Sequence, residues 1–276
     1  MSFRLLVAAA HPDDEALGFG GLLASAAASG HDTFLLTATR GDRGRYFGKP
    51  QDDPEHPGRM ALARLREEEL RASAAALGVR DVTLLDYEDQ QLDRAPVDEA
   101  VAVLVRHLRR IRPHVVATFG PDGAYGHPDH IAISQLITAA IVAAAEGDGG
   151  SQKADGEPHR VSKLYYLAWS ADEWAVYQAA FKKLTFTADG VVRQAVPWPD
   201  WAITTVVDTR PHWETVWRAI QCHHSQVAAY QALARLDAAQ HEVLWGRQSL
   251  YRVFSLVNGG RNRETDVFAG LAEPPT

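Results

Sequence analysis

The sequence has one cysteine, no excess of basic residues and no long apolar run, and each absence excludes a class of protein. Cys222 alone cannot form an intramolecular disulfide or a cysteine-based zinc cluster. The net charge of −7 argues against a general nucleic-acid binder, which needs a basic face. Without a run of about 18 consecutive apolar residues, the sequence predicts no membrane span. We therefore expect a cytoplasmic protein that binds neither nucleic acid nor membranes.

Strand-like and helix-like segments alternate through the first half of the 276-residue chain. The apolar run 3–10 is typical of a strand buried on both faces, and further strands are predicted at 32–39, 81–86 and 114–120. Each is followed by a helix-like segment. This order predicts an α/β, Rossmann-like fold, in which a mostly parallel sheet carries helices on both faces.

The second half predicts a smaller, mixed C-terminal part that includes a β-hairpin with its turn at Asp189–Gly190. We expect one domain over residues 1–257, with the Rossmann-like half at 1–146 and the C-terminal half at 161–257. The polar, glycine-rich segment between the halves is predicted to be a loop. Residues 258–276 are expected to form a loosely held tail.

Two segments with a His-Pro-Asp signature follow the first and fourth predicted strands. "HPDDE" begins at His11, and "HPDH" ends at His130. Open α/β sheets bind ligands at the carboxyl ends of their strands, and in the common order 3-2-1-4 these two strands are neighbours. The two motifs are therefore expected to face each other across one crevice.

Imidazole and carboxylate groups are the ligands of a catalytic zinc ion, which takes three protein groups and leaves one position for water. The spacing lets His11 and Asp14 reach one ion, with His130 arriving from the other loop. Asp13 would then lie beside the water as a general base, and His127 opposite as an acid or oxyanion stabiliser. A structural interpretation stays open, because Asp13 or Asp14 could instead cap the helix that follows.

The segments "AHPDDEALGFGG" and "GAYGHPDH" together resemble the PIG-L/LmbE family of zinc-dependent N-acetylglucosaminyl deacetylases. Supporting matches are "TATRGDRG", "RLREEELRASAAALGV" and "CHHSQ", so the resemblance extends from about residue 4 to 257. It implies one zinc ion per chain, bound by His11, Asp14 and His130, with Asp13 as the general base. It also implies that zinc-activated water attacks the acetamide carbonyl and releases acetate.

The resemblance assigns further roles around this ion. His127 would stabilise the developing charge or protonate the leaving amine, and Tyr125 would contribute to the oxyanion site. Arg66 matches an arginine that contacts the sugar, although Arg64 is a competing assignment. Asp89 matches an acid that binds sugar hydroxyls.

Two more residues are expected near the substrate. His223 of "CHHSQ" matches a family histidine that could line the cleft, with a core or capping role as the alternative. Arg40 follows the second predicted strand, on the same edge as the site, and Arg40, Arg43 or Arg45 could contact a polar or anionic part of the substrate, with a solvated loop as the alternative. The run Glu67–Glu69 is interpreted as an exposed helix face.

The sequence thus predicts a hydrolase that removes the acetyl group from an N-acetylated amino sugar or its conjugate, a small-molecule partner. Two rivals stay open: another zinc amidase or esterase on the same scaffold, and a non-catalytic sugar- or nucleotide-binding α/β module. The loops at 41–57 and 147–160 are expected to select the aglycone. The oligomeric state, a homo-oligomer included, is left open.

Overall fold

The computed structural model describes residues 2–146, 156–181, 185–188, 190–226, 228, 231–260 and 262–272. Strands among these residues are β1 Arg4–Ala9, β2 Asp32–Thr39, β3 Asp81–Tyr87, β4 Val115–Thr118, β5 Lys163–Leu167, β6 Thr185–Ala188, β7 Val191–Gln194, β8 Thr205–Asp208 and β9 Arg247–Ser255. Helices are α1 Asp14–Leu17, α2 Gly20–Ala28, α3 Arg59–Ala76, α4 Val97–Ile111, α5 Gly123–Gly126, α6 Pro128–Ala145, α7 Ala171–Phe181, α8 Trp213–Gln221 and α9 Ala238–Trp245.

Within the described ranges, one sheet of seven strands forms the centre of the fold, in the order β3-β2-β1-β4-β5-β9-β8. Neighbours from β3 to β5 are parallel, whereas β9 runs antiparallel to both β5 and β8. Residues 5–9 of β1 are fully buried, as a strand covered on both faces must be. The predicted Rossmann-like α/β fold with a mixed C-terminal part is confirmed.

The predicted strand order 3-2-1-4 is confirmed in the first half of the sheet. β1 pairs directly with β4, with Leu5 opposite Val115 and Val7 opposite Ala117. Because the two strands are parallel neighbours, the loops that follow them leave the sheet side by side at one edge. The loops after β2 and β3 leave at the same edge, so four connections surround the point where β1 ends.

The described residues contain one helix, α6, that is long and apolar enough to cross a membrane by length and composition alone. More than half of its 18-residue window, 56%, is buried inside the structure. It packs on α4, β1 and β4, which is typical of the core helix of a globular domain. Its first turn carries Asp129 and His130 to the edge of the sheet where β1 ends.

The hairpin predicted in the C-terminal part is present, because β6 and β7 pair antiparallel and Gly190 adopts φ +76° in the turn. Its other turn residue, Asp189, lies outside the described residues, as do residues 147–155 of the predicted loop between the halves. The turn agrees with the preference of such hairpins for residues that tolerate positive φ.

The segment after residue 257 differs from the loosely held tail expected from the sequence. Glu264 is buried and accepts hydrogen bonds from Lys163 Nζ and from the Tyr165 hydroxyl, each at 2.7 Å. The buried ring of Phe268 stacks on Phe3, with 5.8 Å between ring centroids. This described part of the segment is therefore fastened to the sheet by an ion pair and by aromatic packing.

Candidate metal centre and active site

Three donor atoms from two loops meet at the carboxyl end of β1. His11 follows β1, Asp14 begins α1, and His130 lies in the first turn of α6. His130 Nε2 is 3.2 Å from His11 Nδ1 and 3.4 Å from Asp14 Oδ1, and the other carboxylate oxygen of Asp14 is 3.7 Å from His11 Nδ1. A tetrahedral zinc ion with ligands at its usual 2.0–2.1 Å needs donor atoms about 3.3 Å apart. The two distances from His130 Nε2 are close to that value, and imidazole and carboxylate groups are ligands that suit a divalent metal.

The carboxylate of Asp14 is oriented by the backbone of its own loop. Its Oδ2 accepts the N–H groups of Ala10 at 3.1 Å and His11 at 2.8 Å, which leaves Oδ1 directed at His130. Asp13 occupies the N-cap position of α1, but its side chain makes no capping hydrogen bond. The structural interpretation of these acids as helix caps is therefore wrong.

His11 is fixed through its second ring nitrogen. Its Nε2 lies 3.1 Å from Asp129 Oδ2 and 3.2 Å from Asp89 Oδ1, so Nε2 carries the proton and Nδ1 offers its lone pair to a metal. Asp129 is fully buried and also accepts the backbone N–H groups of Gln90 at 2.7 Å and Leu92 at 3.1 Å.

Asp129 was not among the predicted site residues, although it stands inside "HPDH". A carboxylate commonly supports a metal-binding histidine, and that regularity was the available signal. Asp129 belongs to the loop that brings His130, yet it supports the histidine of the other loop. The two motifs are thus joined by a hydrogen bond as well as by their shared donor cluster.

The donor cluster has the electrostatics of a site that needs a cation. Burial raises the pKa of Asp14 to about 6, and it lowers the pKa of His130, with the nearby His11 lowering it further. For His11, burial opposes protonation, but the carboxylates of Asp129 and Asp89 outweigh it and raise the pKa. A bound divalent ion would favour the ionised carboxylate and the neutral imidazoles that ligation requires.

Asp13 stands beside the cluster in a strained backbone conformation. Its φ is +105°, in the region that favours glycine, which costs about 1–3 kcal/mol for other residues. Its carboxylate Oδ2 accepts a hydrogen bond from Arg66 Nη2 at 3.0 Å. The backbone N–H of Asp13 donates to Glu15 Oε2 at 2.9 Å.

Arg66 differs from its expected role as a sugar contact. Its side chain is only 5% exposed, and its guanidinium donates to the carbonyls of Gly41 and Pro12 as well as to Asp13. Since the guanidinium is occupied by these partners beneath the site, Arg66 orients Asp13 and anchors the loop after β2. Arg64, the competing assignment, is exposed on α3.

His127 and Tyr125 lie next to the donor cluster. The ring nitrogens of His11, His127 and His130 come within 4.8 Å of one another, and all three side chains are buried. His127 Nδ1 accepts the N–H of Asp129 at 3.2 Å as the N-cap of α6, so its neutral ring carries the proton on Nε2. The ring of Tyr125 is 5.3 Å from that of His130, and burial raises the pKa of its hydroxyl.

Asp89 and Arg40 both reach the edge of the site. Asp89 is nearly buried against His11 and accepts the backbone N–H of Arg43 at 2.9 Å. Arg40 pairs with Glu67 and with Asp86, and it lines a groove of about 460 Å³ with side chains that include Arg59, Met60 and Tyr87. The groove adjoins Asp89 through Asp42, which accepts the Asp89 N–H at 3.4 Å.

His223 differs from the expectation that it lines the cleft. Its side chain is fully buried, and Nε2 lies 2.7 Å from Glu15 Oε1. Its neighbour Ser225 binds Glu69, donating through the backbone N–H at 2.6 Å and the hydroxyl at 2.7 Å. The core role left open for His223 is therefore correct, and the interpretation of Glu69 as an exposed residue is wrong.

Comparisons with known proteins identify relatives of the whole chain. Residues 6–141 match the family model described as PIG-L, GlcNAc-PI de-N-acetylase. A relative from Kineococcus radiotolerans named 1D-myo-inositol 2-acetamido-2-deoxy-alpha-D-glucopyranoside deacetylase is 33% identical over 310 residues, covering 98% of this chain and 83% of that protein.

Two solved structures share the fold. The N,N'-diacetylchitobiose deacetylase of Pyrococcus horikoshii has a TM-score of 0.65 at 18% identity, covering 91% of this chain and 83% of that one. The 4-carboxy-2-hydroxymuconate hydratase of Pseudomonas putida has a TM-score of 0.68 at 21% identity, covering 94% and 99%. Because a 33% identical relative aligns with 98% of this chain, the chain belongs to the PIG-L family.

Proposed function

We propose that this chain is a zinc-dependent deacetylase that hydrolyses the acetamide of an N-acetylglucosamine-type sugar or its small-molecule conjugate. The observation that carries the proposal is the donor cluster of His11, Asp14 and His130, with Asp13 and His127 beside it. The name of the relative from Kineococcus radiotolerans, a deacetylase of an N-acetylglucosamine glycoside, supports the substrate class.

The fold by itself does not select this reaction. A hydratase and a deacetylase both superimpose on the chain, so the scaffold serves more than one chemistry. What favours amide hydrolysis is the sequence relationship to deacetylases together with a base, a metal cluster and an oxyanion donor in one place. The lone Cys222 suits a reducing compartment, and we include a cytoplasmic location in the proposal.

His11, Asp14 and His130 would hold the zinc ion. When bound, the ion supplies a Lewis acid that lowers the pKa of a water molecule toward about 7 and polarises the amide carbonyl. Asp129 keeps the proton of His11 on Nε2, so that Nδ1 stays a ligand. The backbone N–H groups of residues 10 and 11 keep Asp14 in place without using the oxygen that faces His130.

Asp13 is the general base of the proposed reaction. Its carboxylate takes the proton of the attacking water and passes it to the departing nitrogen, and the C–N bond then breaks to give acetate and a free amine. Arg66 donates to Oδ2 of Asp13 at 3.0 Å, which helps to fix the orientation of the carboxylate. The side chain is 15% exposed, so a substrate can reach it.

His127 and Tyr125 are the donors that stabilise the oxyanion in this proposal. The N-cap hydrogen bond from the Asp129 N–H to His127 Nδ1 leaves the proton of the neutral His127 ring on Nε2. Tyr125 stays protonated and can donate its O–H, because burial disfavours its ionisation. Donors placed where negative charge develops commonly contribute a factor of about 10²–10³ in kcat.

Sugar hydroxyls and the aglycone are assigned to the side of the site where β2 and β3 end. Asp89 borders His11, and its carboxylate can accept hydrogen bonds from hydroxyls. The groove lined by Arg40 continues from there and can receive a polar aglycone. The loop at 41–57 borders this groove, which supports the expectation that it selects the aglycone.

An acetate-release screen over N-acetylated sugars tests the proposal. The wild type should carry about one zinc ion per chain and lose turnover with a chelator. Asp13→Ala should lower kcat about 10²- to 10⁴-fold, whereas Asp98→Asn, a change at an exposed acid on α4, should not. Equal turnover by Asp13→Ala would remove Asp13 as the base.

The same screen separates the rival functions. Hydrolysis of esters or other amides with N-acetyl sugars untouched would favour another metal hydrolase on this scaffold. Stoichiometric sugar binding without metal or turnover would favour a non-catalytic module.

A further inference from the structure

A buried group of polar side chains, formed by Glu15, Ser73 and His223, contacts the backbone of Asp13. Glu15 is fully buried and accepts three hydrogen bonds, from Ser73 Oγ at 2.5 Å, His223 Nε2 at 2.7 Å and the Asp13 backbone N–H at 2.9 Å. A carboxylate without solvent must be fully hydrogen-bonded, and a contact with a cation stabilises its charge.

The contact with Asp13 is the one that bears on the reaction. Asp13 adopts φ +105° and ψ −25°, a conformation that a non-glycine residue keeps only when its surroundings enforce it. Its N–H points at Glu15, and its carboxylate points at Arg66. Two fixed partners, one on the backbone and one on the side chain, thus define where the carboxylate of Asp13 lies.

We propose that Glu15 is a positioning residue, and that its carboxylate, held by His223 and Ser73, fixes the backbone of Asp13 so that the proposed base faces the reacting water. This inference rests on the proposed function, because it takes Asp13 as the base. The two side chains that hold Glu15 come from distant parts of the chain: Ser73 lies on α3, and His223 follows α8. Packing of the C-terminal half is thereby coupled to the geometry of the first motif.

Glu69 offers a matched control. It is a buried glutamate on α3, one helical turn from Ser73, and it binds Ser225, two residues beyond His223. Glu69→Gln and Glu15→Gln therefore make the same isosteric change. Each replaces a buried carboxylate that hydrogen-bonds to the segment 223–225, Glu15 through His223 and Glu69 through Ser225. Glu69 hydrogen-bonds to Ser225 rather than to Asp13, so Glu69→Gln should affect stability without moving the base.

The experiment compares the two variants as full-length, zinc-loaded proteins on a substrate found in the acetate-release screen. Glu15→Gln should lower kcat about 10- to 100-fold, the usual effect of removing a partner that orients an active group, with KM and zinc content unchanged. Glu69→Gln should keep the wild-type kcat. His223→Gln retains a donor near the position of Nε2 and should recover much of the kcat that His223→Leu loses.

A second measurement is independent of turnover. In metal-free protein with ¹⁵N-labelled aspartate, the amide proton of Asp13 should lie downfield because it binds a carboxylate, and it should move upfield in Glu15→Gln. An unmoved resonance, or equal losses of kcat in Glu15→Gln and Glu69→Gln, would overturn the positioning role. Absence of acetate release by the wild type from any N-acetyl sugar would instead overturn the proposed function.

Discussion

Replacing Asp129 by Asn tests the support of His11, and its cost follows from counting hydrogen bonds. Oδ2 of Asp129 accepts from His11 Nε2 at 3.1 Å and from the Gln90 N–H at 2.7 Å, while Oδ1 accepts from the Leu92 N–H at 3.1 Å. An amide side chain offers one oxygen. Whichever way it is turned, its NH₂ group faces at least one N–H donor, and at least one buried hydrogen bond is lost.

A buried N–H left without a partner costs about 1–3 kcal/mol. For a chain of this length each kcal/mol corresponds to about 2 °C in Tm, so Asp129→Asn should melt about 2–6 °C lower. The neutral amide also holds the imidazole of His11 less firmly than a carboxylate does. Zinc affinity should therefore fall about 10- to 100-fold.

Calorimetry of the metal-free protein gives the Tm, and competition with a chromogenic chelator gives the zinc affinity. Asp93→Asn is the control, because Asp93 is exposed and lies in the 3₁₀ turn next to Leu92, whose N–H binds Asp129. The reasoning is refuted if Asp129→Asn melts like the wild type and binds zinc equally well. A loss of Tm with unchanged zinc affinity would leave Asp129 as an anchor of the loop after β3 only.

Two further predictions concern the loop after β2 and the C-terminal segment. Gly41 has φ +60°, and a Cβ added there would collide with the guanidinium of Arg66. Gly41→Ala should therefore unfold at a lower urea concentration and have a lower kcat. Gly30 is the control, because it has φ +80° and open space around it, and Gly30→Ala should keep the wild-type kcat. Comparable kcat values in the two variants would contradict the role given to Arg66. Burial opposes ionisation of Glu264, but Lys163 outweighs it and lowers its pKa to about 2 from 4.5. A carboxyl group whose pKa is lower in the folded than in the unfolded protein stabilises the fold at pH values above its unfolded-state pKa. Tm should therefore fall as the pH drops from about 4.5 toward 2, and Glu264→Gln should flatten that fall. A plot of Tm against pH for the variant that runs parallel to that of the wild type would exclude Glu264 as the source of the fall.

The arrangement of the donor cluster was predictable because it depends on topology rather than on side-chain packing. Alternating strands and helices fix a parallel sheet, and the strand order places the ends of β1 and β4 side by side. Short motifs at those two ends must then meet, wherever the intervening hundred residues go. The spacing within "HPDDE" and "HPDH" decided which side chains could share an ion.

The partners of these residues could not be predicted because they depend on which face of a helix is buried. Arg66, Glu69 and Ser73 follow one another at spacings of three and four and lie on one face of α3, but they are polar. A polar stripe in a sequence is ordinarily the solvent side of a helix. Here it is the buried side, because Asp13, Ser225 and Glu15 provide its hydrogen-bond partners.

The segment "CHHSQ" shows why a motif far from the metal can matter for the site. His223 binds Glu15 of α1, Ser225 binds Glu69 of α3, and the Gln226 amide donates to the carbonyl of Arg45 at 2.8 Å in the loop after β2. Three nearly consecutive residues therefore tie together three elements that border the donor cluster. The family model covers residues 6–141, so it contains the proposed metal ligands but not residues 223–226, whose hydrogen bonds tie these elements together. If the positioning role of Glu15 is right, the C-terminal half contributes to the reaction through the geometry of Asp13, even though it supplies none of the proposed metal ligands.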